Sequence, residues 1–415
     1  MKIVSVEGYA LSSPIEPVQE RYFHGGTRRL HKRDVVLVVI ETADGERGVA
    51  TAGASSSAMR EFFDDASQAT FATLLNGPVA DVLEGKTVSS IESLPGLLTE
   101  ASLPDHLHHE AVAALEVALF DCRGRELGAP IHSLLADRSS CSSTRSMELY
   151  ASAGMYMEPE GYARQAAQLE SVGFAGYKYR PGIGPDDDRR TIDLLAETVE
   201  EMAIQLDGHT WWKIESGYDR ETIRELTEYA AERGALWVEE PVAPDDYDGY
   251  RSLASTGVPL AGGESEPAPS GLCELVRTGA IEYCQGDVRH HGYLGCLQAI
   301  EACRTAGIAF VPHNFGTWLG LVANAHLVAG TPGSQLLEYP VFDGDPAVFD
   351  AGLDTAAGMY PFDLAFDIIE ETLSIDDGTF RVPDGPGLGV TVDLDVIEEY
   401  PFQEGPWTEF SYDEQ

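Results

Sequence analysis

From Met147 onward, β-rich runs recur at intervals of about 22 to 32 residues, with helical stretches between them. The runs are 147–153, 175–180, 203–208, 235–240, 258–264, 281–287, 308–313 and 334–339. Such an interval holds one strand and one crossover helix, which is what neighbouring parallel strands require. Eight repeats predict an α/β protein built on a TIM-like barrel of the (β/α)8 kind. It is best written (β/α)7β, because the helix after the eighth run is weakly marked.

Residues 1–130 have a different texture and predict an α+β capping domain. MKIVSVEGYAL reads as a strand and is followed by a polar, Gly-containing stretch, QERYFHGGTRRLHKRD (19–34). The two β-rich runs around Ala43-Asp44-Gly45 read as a hairpin. Helices are predicted over 58–75 and 108–127, the second stopped by Gly128 and Pro130. Residues 131–341 form the predicted barrel. Residues 342–415 contain strand and turn material that cannot extend the barrel rhythm, and they are expected to pack back on the cap.

Composition narrows the function. The chain of 415 residues carries 27 Lys plus Arg against 69 Asp plus Glu, a net charge of −42. Nucleic-acid and anionic-membrane partners are excluded, since both need clustered basic residues. Lysine is nearly absent, with only Lys2, Lys32, Lys86, Lys178 and Lys213. An acidic surface so poor in lysine suits a salt-rich cytoplasm, where repulsion is screened. The six cysteines show no CxxC spacing, and no apolar run approaches the roughly 20 residues of a membrane span. Buried free thiols in a cytoplasmic protein are expected. GIGPDDD (182–188) lacks dinucleotide-binding spacing. His106, His108 and His109 read as structural or solvated.

Catalytic groups of a parallel barrel stand at the C-terminal ends of its strands. Here those ends carry Lys178 and Arg180, then Asp207 with His209, Glu239 with Glu240, Glu264, Asp287, His313 and Glu338. Asp207, Glu239 and Glu264 lie on three consecutive strands, close enough to converge on one hard cation; all-oxygen ligation selects Mg²⁺. Lys178 and Arg180 share one side of their strand and suit an anionic substrate. Arg180 stays protonated and is a poor base. Asp287 and His313 fall on neighbouring strands, where a carboxylate can orient an imidazole as a general base.

The ordered set resembles the enolase superfamily and, within it, the mandelate racemase subgroup, over almost the whole chain. The segments that carry the likeness are AVAALEVALFDCRGRELGAPIHSLL (111–135), AGYKYR, LDGH (206–209), WVEEP (237–241), GGES (262–265), GDVRHHG, VPHNFG, LLEYP and VPDGPGLGV (382–390). The resemblance implies Mg²⁺ on Asp207, Glu239 and Glu264, and His313 as a base oriented by Asp287. It implies Glu338 on a carboxylate oxygen of the substrate, and a cap loop at 24–31, bearing His24 and Arg28, that closes over the pocket and contacts the substrate's distal end. Glu240 and His290 are further expected substrate contacts. Two departures stand out. Arg180 replaces the second lysine of KxK, which removes one half of a two-base racemase. His209 makes a D-x-H arrangement similar to that of sugar-acid dehydratases, where such a histidine serves the leaving hydroxyl; it could equally support the metal ligands.

The expected activity is therefore Mg²⁺-dependent dehydration of an aldonate or aldarate to a 2-keto-3-deoxy acid. The alternatives are a racemase, epimerase or cycloisomerase sharing the same enediolate, and a non-catalytic binding protein on the same barrel. The expected partner is a small acid sugar, and the expected assembly a homo-oligomer.

Overall fold

Residues 1–52, 67–333, 335–349 and 358–413 are described by the structure, a computed structural model. Eight parallel strands follow one another around the barrel: β4 (Ser146–Met155), β5 (Gly176–Arg180), β6 (Ala203–Asp207), β7 (Trp237–Glu239), β8 (Leu260–Gly262), β9 (Tyr283–Cys284), β10 (Ala309–Phe310) and β11 (Leu336–Pro340). Strands β4 to β10 are hydrogen-bonded in sequence order, and β11 returns to pair with β4. Between β10 and β11 the chain is stitched by Asn314, whose Nδ2 donates to the Glu338 carbonyl at 3.3 Å. Every strand lies where the rhythm places it. After β11 the described residues include one short helical turn, Pro346–Phe349.

The cap sheet contains β1 (Ile3–Phe23), β2 (Gly26–Thr42), β3 (Arg47–Ala52) and the C-terminal β14 (Thr408–Tyr412). Val35–Ile40 of β2 is buried without alternation, as expected of a strand covered on both faces. One cover is the helix Asp105–Leu127, which packs on β2 and β3 and also on the barrel helix Val288–Ala306. Its residues 113–122 are buried, so it is enclosed on all sides rather than amphipathic. Gly128 ends it in the left-handed conformation at φ 64°.

Two expectations are corrected. Residues 24–31 are not a loop: β1 and β2 run on as one long hairpin that turns at His24-Gly25, with Phe23 opposite Gly26 and Gln19 opposite Leu30. Backbone pairing continues there because it needs no apolar side chains, so the polar composition misleads. The tail does not pack solely on the cap. Residues Ile375–Asp376 and Thr379–Arg381 (β12, β13) form a small hairpin on the N-terminal half of β4, satisfying the edge that β4 exposes below the barrel. The rest of the tail does reach the cap: Arg21 of β1 donates to the Met359 carbonyl, the Leu388 amide donates to Asp121, and β14 pairs with β2. The predicted helix over 58–75 is seen as Ser67–Leu74, its first part lying outside the described residues. All six cysteines are free thiols. Among the described residues no helix is long and apolar enough to cross a membrane.

Candidate active site

Asp207 and Glu239 stand directly opposite each other at the ends of β6 and β7. Glu264 follows β8 after Gly263, whose φ of +127° turns the chain inward. All three carboxylates are met by protein cations. Asp207 Oδ2 lies 2.6 Å from Arg180 Nη2, and its Oδ1 lies 2.6 Å from His209 Nδ1. Glu239 Oε1 accepts from Lys178 Nζ at 2.6 Å, and its Oε2 from Gln285 Nε2 at 2.6 Å. Glu264 faces His313 Nε2 at 3.2 Å and His209 Nε2 at 3.3 Å. Lys178 also reaches Glu338 Oε1 at 2.7 Å.

The electrostatics follow from this crowding. Burial, reinforced by Glu264, Asp207 and Glu338 and opposed by Lys178, pushes Glu239 up to about 8. Burial works against the charged forms of Lys178 and His209 too, but surrounding carboxylates win. Lys178 is held well above its ordinary value by Glu239 and Glu338, and His209 is carried to about 10 by Asp207, Glu264 and Glu240. Glu264 is drawn to about 2 despite its burial, by His313, His209 and Lys178.

An oxygen-only trio of buried acids whose mutual repulsion raises one of their number fits a hard dication. Without one, the compensation falls to Arg180, Lys178, His209 and His313. Among the described residues two clusters bring three potential ligand atoms within 4.8 Å of one another: His209 with Glu240 and Glu264, and Asp287 with His290 and His313. Neither is the expected trio, because Asp207 and Glu239 are turned onto Arg180 and Lys178.

Asp287 and His313 are hydrogen-bonded as their strand positions suggest, Nδ1 to Oδ2 at 2.9 Å. Asp287 is itself clamped: Arg289 donates from Nε at 3.1 Å and from Nη2 at 2.5 Å, and Asn324 Nδ2 donates at 3.0 Å. His313 is carried to about 9, since Glu264, Asp287 and Glu338 outweigh its burial. The ring leaves Nε2 facing Glu264 and a cavity of about 160 Å³ lined by Arg28, Arg33, Arg180, Glu264, His290 and His313, among others. A neighbouring cavity of about 540 Å³ shares Arg28 and Arg180 and continues past His209, Trp212 and Tyr412.

Not every expected contact reaches these cavities. His24 is exposed at the hairpin tip, where its amide donates to the Gly182 carbonyl at 2.9 Å and its ring lies 5.7 Å from Tyr218. It anchors the tip to the barrel rim and does not line either cavity. Glu240 is fully buried beneath His209 at φ +37°, accepting from the amides of Gly263 and Ser265 and from the Ser265 hydroxyl. Such backbone strain in a non-glycine residue is tolerated where surrounding bonds over-determine it. Its position supports His209 rather than a substrate. His290 lines the smaller cavity, 3.2 Å from Glu110 of the cap helix.

Sequence reasoning passed over Arg33, Gln285, Arg289 and Asn324. Gln285 was findable, since it precedes Asp287 by two and strand periodicity puts both on one side. Arg289 lies beyond the strand, and no local pattern marks it.

Two family models cover most of the chain: "Mandelate racemase / muconate lactonizing enzyme, N-terminal domain" over residues 15–136 and "Enolase C-terminal domain-like" over residues 161–396. The chain is 28% identical over 298 residues to D-galactarolactone cycloisomerase of Agrobacterium fabrum, covering 70% of this chain and 73% of the relative. It is 27% identical over 380 residues to arabinonate dehydratase of Saccharolobus solfataricus, covering 89% and 91%. A solved racemase from Streptomyces coelicolor with bound magnesium superposes with a TM-score of 0.74 at 19% identity, covering 96% of this chain and 99% of that one.

Proposed function

Because the chain belongs to the mandelate racemase/muconate lactonizing enzyme family of the enolase superfamily, we propose that it is a Mg²⁺-dependent dehydratase of acid sugars, acting on an aldonate or aldarate. The observation that carries this reading is the asymmetry of the site. His313, backed by Asp287, presents Nε2 to the cavity, whereas the opposite position holds Arg180, paired to Asp207. One competent base removes an α-proton without offering a second face for racemisation. Arabinonate dehydratase among the relatives supports the reaction class.

Asp207, Glu239 and Glu264 would hold the ion. Mg²⁺ there would stabilise negative charge on the substrate's carboxylate and cancel the Glu264 field that otherwise keeps His313 protonated. His313 takes the α-proton at Nε2, and Asp287 steadies the resulting imidazolium. Asp287 holds that geometry because Arg289 and Asn324 fix both of its oxygens. Lys178, between Glu239 and Glu338, places positive charge against the substrate's carboxylate end. Arg28 and Arg33 of β2 line the smaller cavity and Phe410 and Tyr412 of β14 the larger, so the cap sheet would limit the access of water to a bound substrate. The same proposal takes the protein as a cytoplasmic homo-oligomer with neither nucleic acid nor membrane as partner; the net charge of −42 supports the exclusion of those two polyanionic partners.

One observation favours a second reading. Both ring nitrogens of His209 are engaged, by Asp207 and by Glu240. A histidine so held is not free to meet a departing hydroxyl, and a cycloisomerase or epimerase would need no such group. The test is a panel of aldonic and aldaric acids with Mg²⁺ in D2O, followed by NMR. Release of a 2-keto-3-deoxy acid supports dehydration. Deuterium uptake or ring closure without a keto product would replace it with the second reading.

A further inference from the structure

Cations dominate the described wall of the smaller cavity: among the described residues Arg28, Arg33, Arg180 and Arg289 line it with two acids, Asp34 and Glu264. In a chain with 69 acids against 27 basic residues this is an inversion. Two of the four arginines have carboxylate partners, Arg180 on Asp207 and Arg289 on Asp287. The other two have none among the described residues. Arg28 is buried, with Nε on the Thr408 hydroxyl at 2.9 Å and Nη1 3.3 Å from Met155 Sδ. The Arg33 guanidinium lies among rings, its Cζ 4.7 Å from the centre of Trp407, 5.5 Å from Phe315 and 5.7 Å from Phe362, and its buried Nε has no hydrogen-bond partner. Asp34, the adjoining acid, is already committed to Lys32 at 3.1 Å and to Ser12.

Arg28 sits over the same Trp407 ring, at 5.1 Å, so two guanidinium groups share one indole. Burial, with Arg180 and Arg33 adding like charge, brings Arg28 down to about 10. Aromatic faces recover only part of the hydration that a buried cation loses. Two such cations side by side leave an anion's worth of positive field directed into a cavity whose other wall carries His313.

We propose that Arg28 and Arg33 form the receptor for a second anionic group, carboxylate or phosphate, at the substrate's far end, so that the preferred substrate is a dianion and not a simple aldonate. This rests on the acid-sugar reading above. Both side chains come from β2, whose pairing with β1 and β14 holds them over the barrel mouth. Guanidinium suits the task, since its fork bonds two oxygens of one carboxylate or phosphate at once.

Calorimetric binding with Mg²⁺ present, at one fixed salt concentration, tests it with glucarate, 6-phosphogluconate and gluconate. The wild type is expected to bind at least one dianion roughly 10- to 100-fold more tightly than gluconate. Preference for glucarate alone identifies a carboxylate, and for 6-phosphogluconate alone a phosphate. Arg33→Met keeps an apolar side chain among the rings and should bring the dianion-to-gluconate ratio towards one. Arg28→Lys keeps the charge but loses the fork, and should lower the ratio in part; it decides the matter if Arg33→Met fails to fold by circular dichroism. Gluconate binding as tightly as both dianions, or a dianion preference intact in the variants, overturns the assignment. If no acid is dehydrated or exchanged, the dehydratase reading falls while the affinity ratio still judges the two arginines.

Discussion

At the scale of single residues, the site is a set of opposed charges in which each member holds another in place. His313→Asn removes the imidazole that Asp287 orients towards the cavity. Both α-proton exchange and product formation should fall by 10²-fold or more, a loss within the range of general-base catalysis. His209→Asn should separate the two: exchange persists and dehydration falls if His209 serves the leaving group, whereas both fall together if it only orders Asp207 and Glu240. An NMR time course in D2O reads both. Glu239→Gln takes one negative charge from the trio and leaves an amide to meet Lys178. Mg²⁺ affinity should drop at least tenfold by calorimetry while the circular dichroism spectrum stays unchanged. Activity that survives exhaustive chelation by EDTA would remove the metal from the mechanism.

At the scale of elements, the β1–β2 hairpin and β14 form the roof, and their fit depends on Gly26. A Cβ there would stand 2.4 Å from the Ser411 carbonyl oxygen on β14 and 2.6 Å from the Phe23 ring. Gly26→Ala therefore forces β14 away from β2, and with it Thr408, the partner of Arg28. Overpacking of this kind costs about 1–3 kcal/mol. The melting temperature should fall and KM should rise by more than kcat falls, because the roof binds substrate and the chemistry lies below. Gly77→Ala, where no atom lies within 4 Å of the added carbon, should stay within about 0.5 kcal/mol of wild type. Equal effects from the two changes would show that the roof is not held by this contact.

At the scale of the whole molecule, charge governs stability. A net charge of −42 repels itself, and the screening length shrinks to about 3 Å at molar salt. The melting temperature should climb steeply between low and molar KCl; a flat response would end the case for a salt-adapted surface. Buried acids add a pH dependence of known sign. Burial pushes Glu116, on the enclosed cap helix, up to about 8, although the Leu294 amide bonded to it at 2.7 Å works the other way. Between its ordinary value of 4.5 and about 8 the folded chain binds a proton that the unfolded chain has released, so this group's contribution falls as pH rises through that window. Glu116→Gln retains an acceptor for Leu294 and removes the titration. Urea unfolding at pH 5, 6.5 and 8 should show a variant whose relative stability increases with pH, by up to about 1.4 kcal/mol per pH unit. A constant difference across the three pH values would show that Glu116 does not titrate there.

The barrel and its ring of strand-end groups were legible in the sequence, because both rest on local rules. A strand-plus-crossover repeat has a characteristic length, and side-chain alternation tells which residues share a face. The positions of Lys178, Asp207, Glu239, Glu264, Asp287, His313 and Glu338 follow from counting along eight such repeats. Partner choice does not follow, because it joins residues far apart in the chain. Only the folded structure pairs Lys178 with Glu239, 61 positions on, or His290 with Glu110, 180 positions back. It alone turns a polar stretch into a hairpin, sends β12 and β13 to the free edge of β4, and leaves Arg28 and Arg33 in the cavity with no carboxylate paired to them among the described residues. Periodicity says which way a side chain points; which charge it meets is settled by the closing of the barrel and the cap around it.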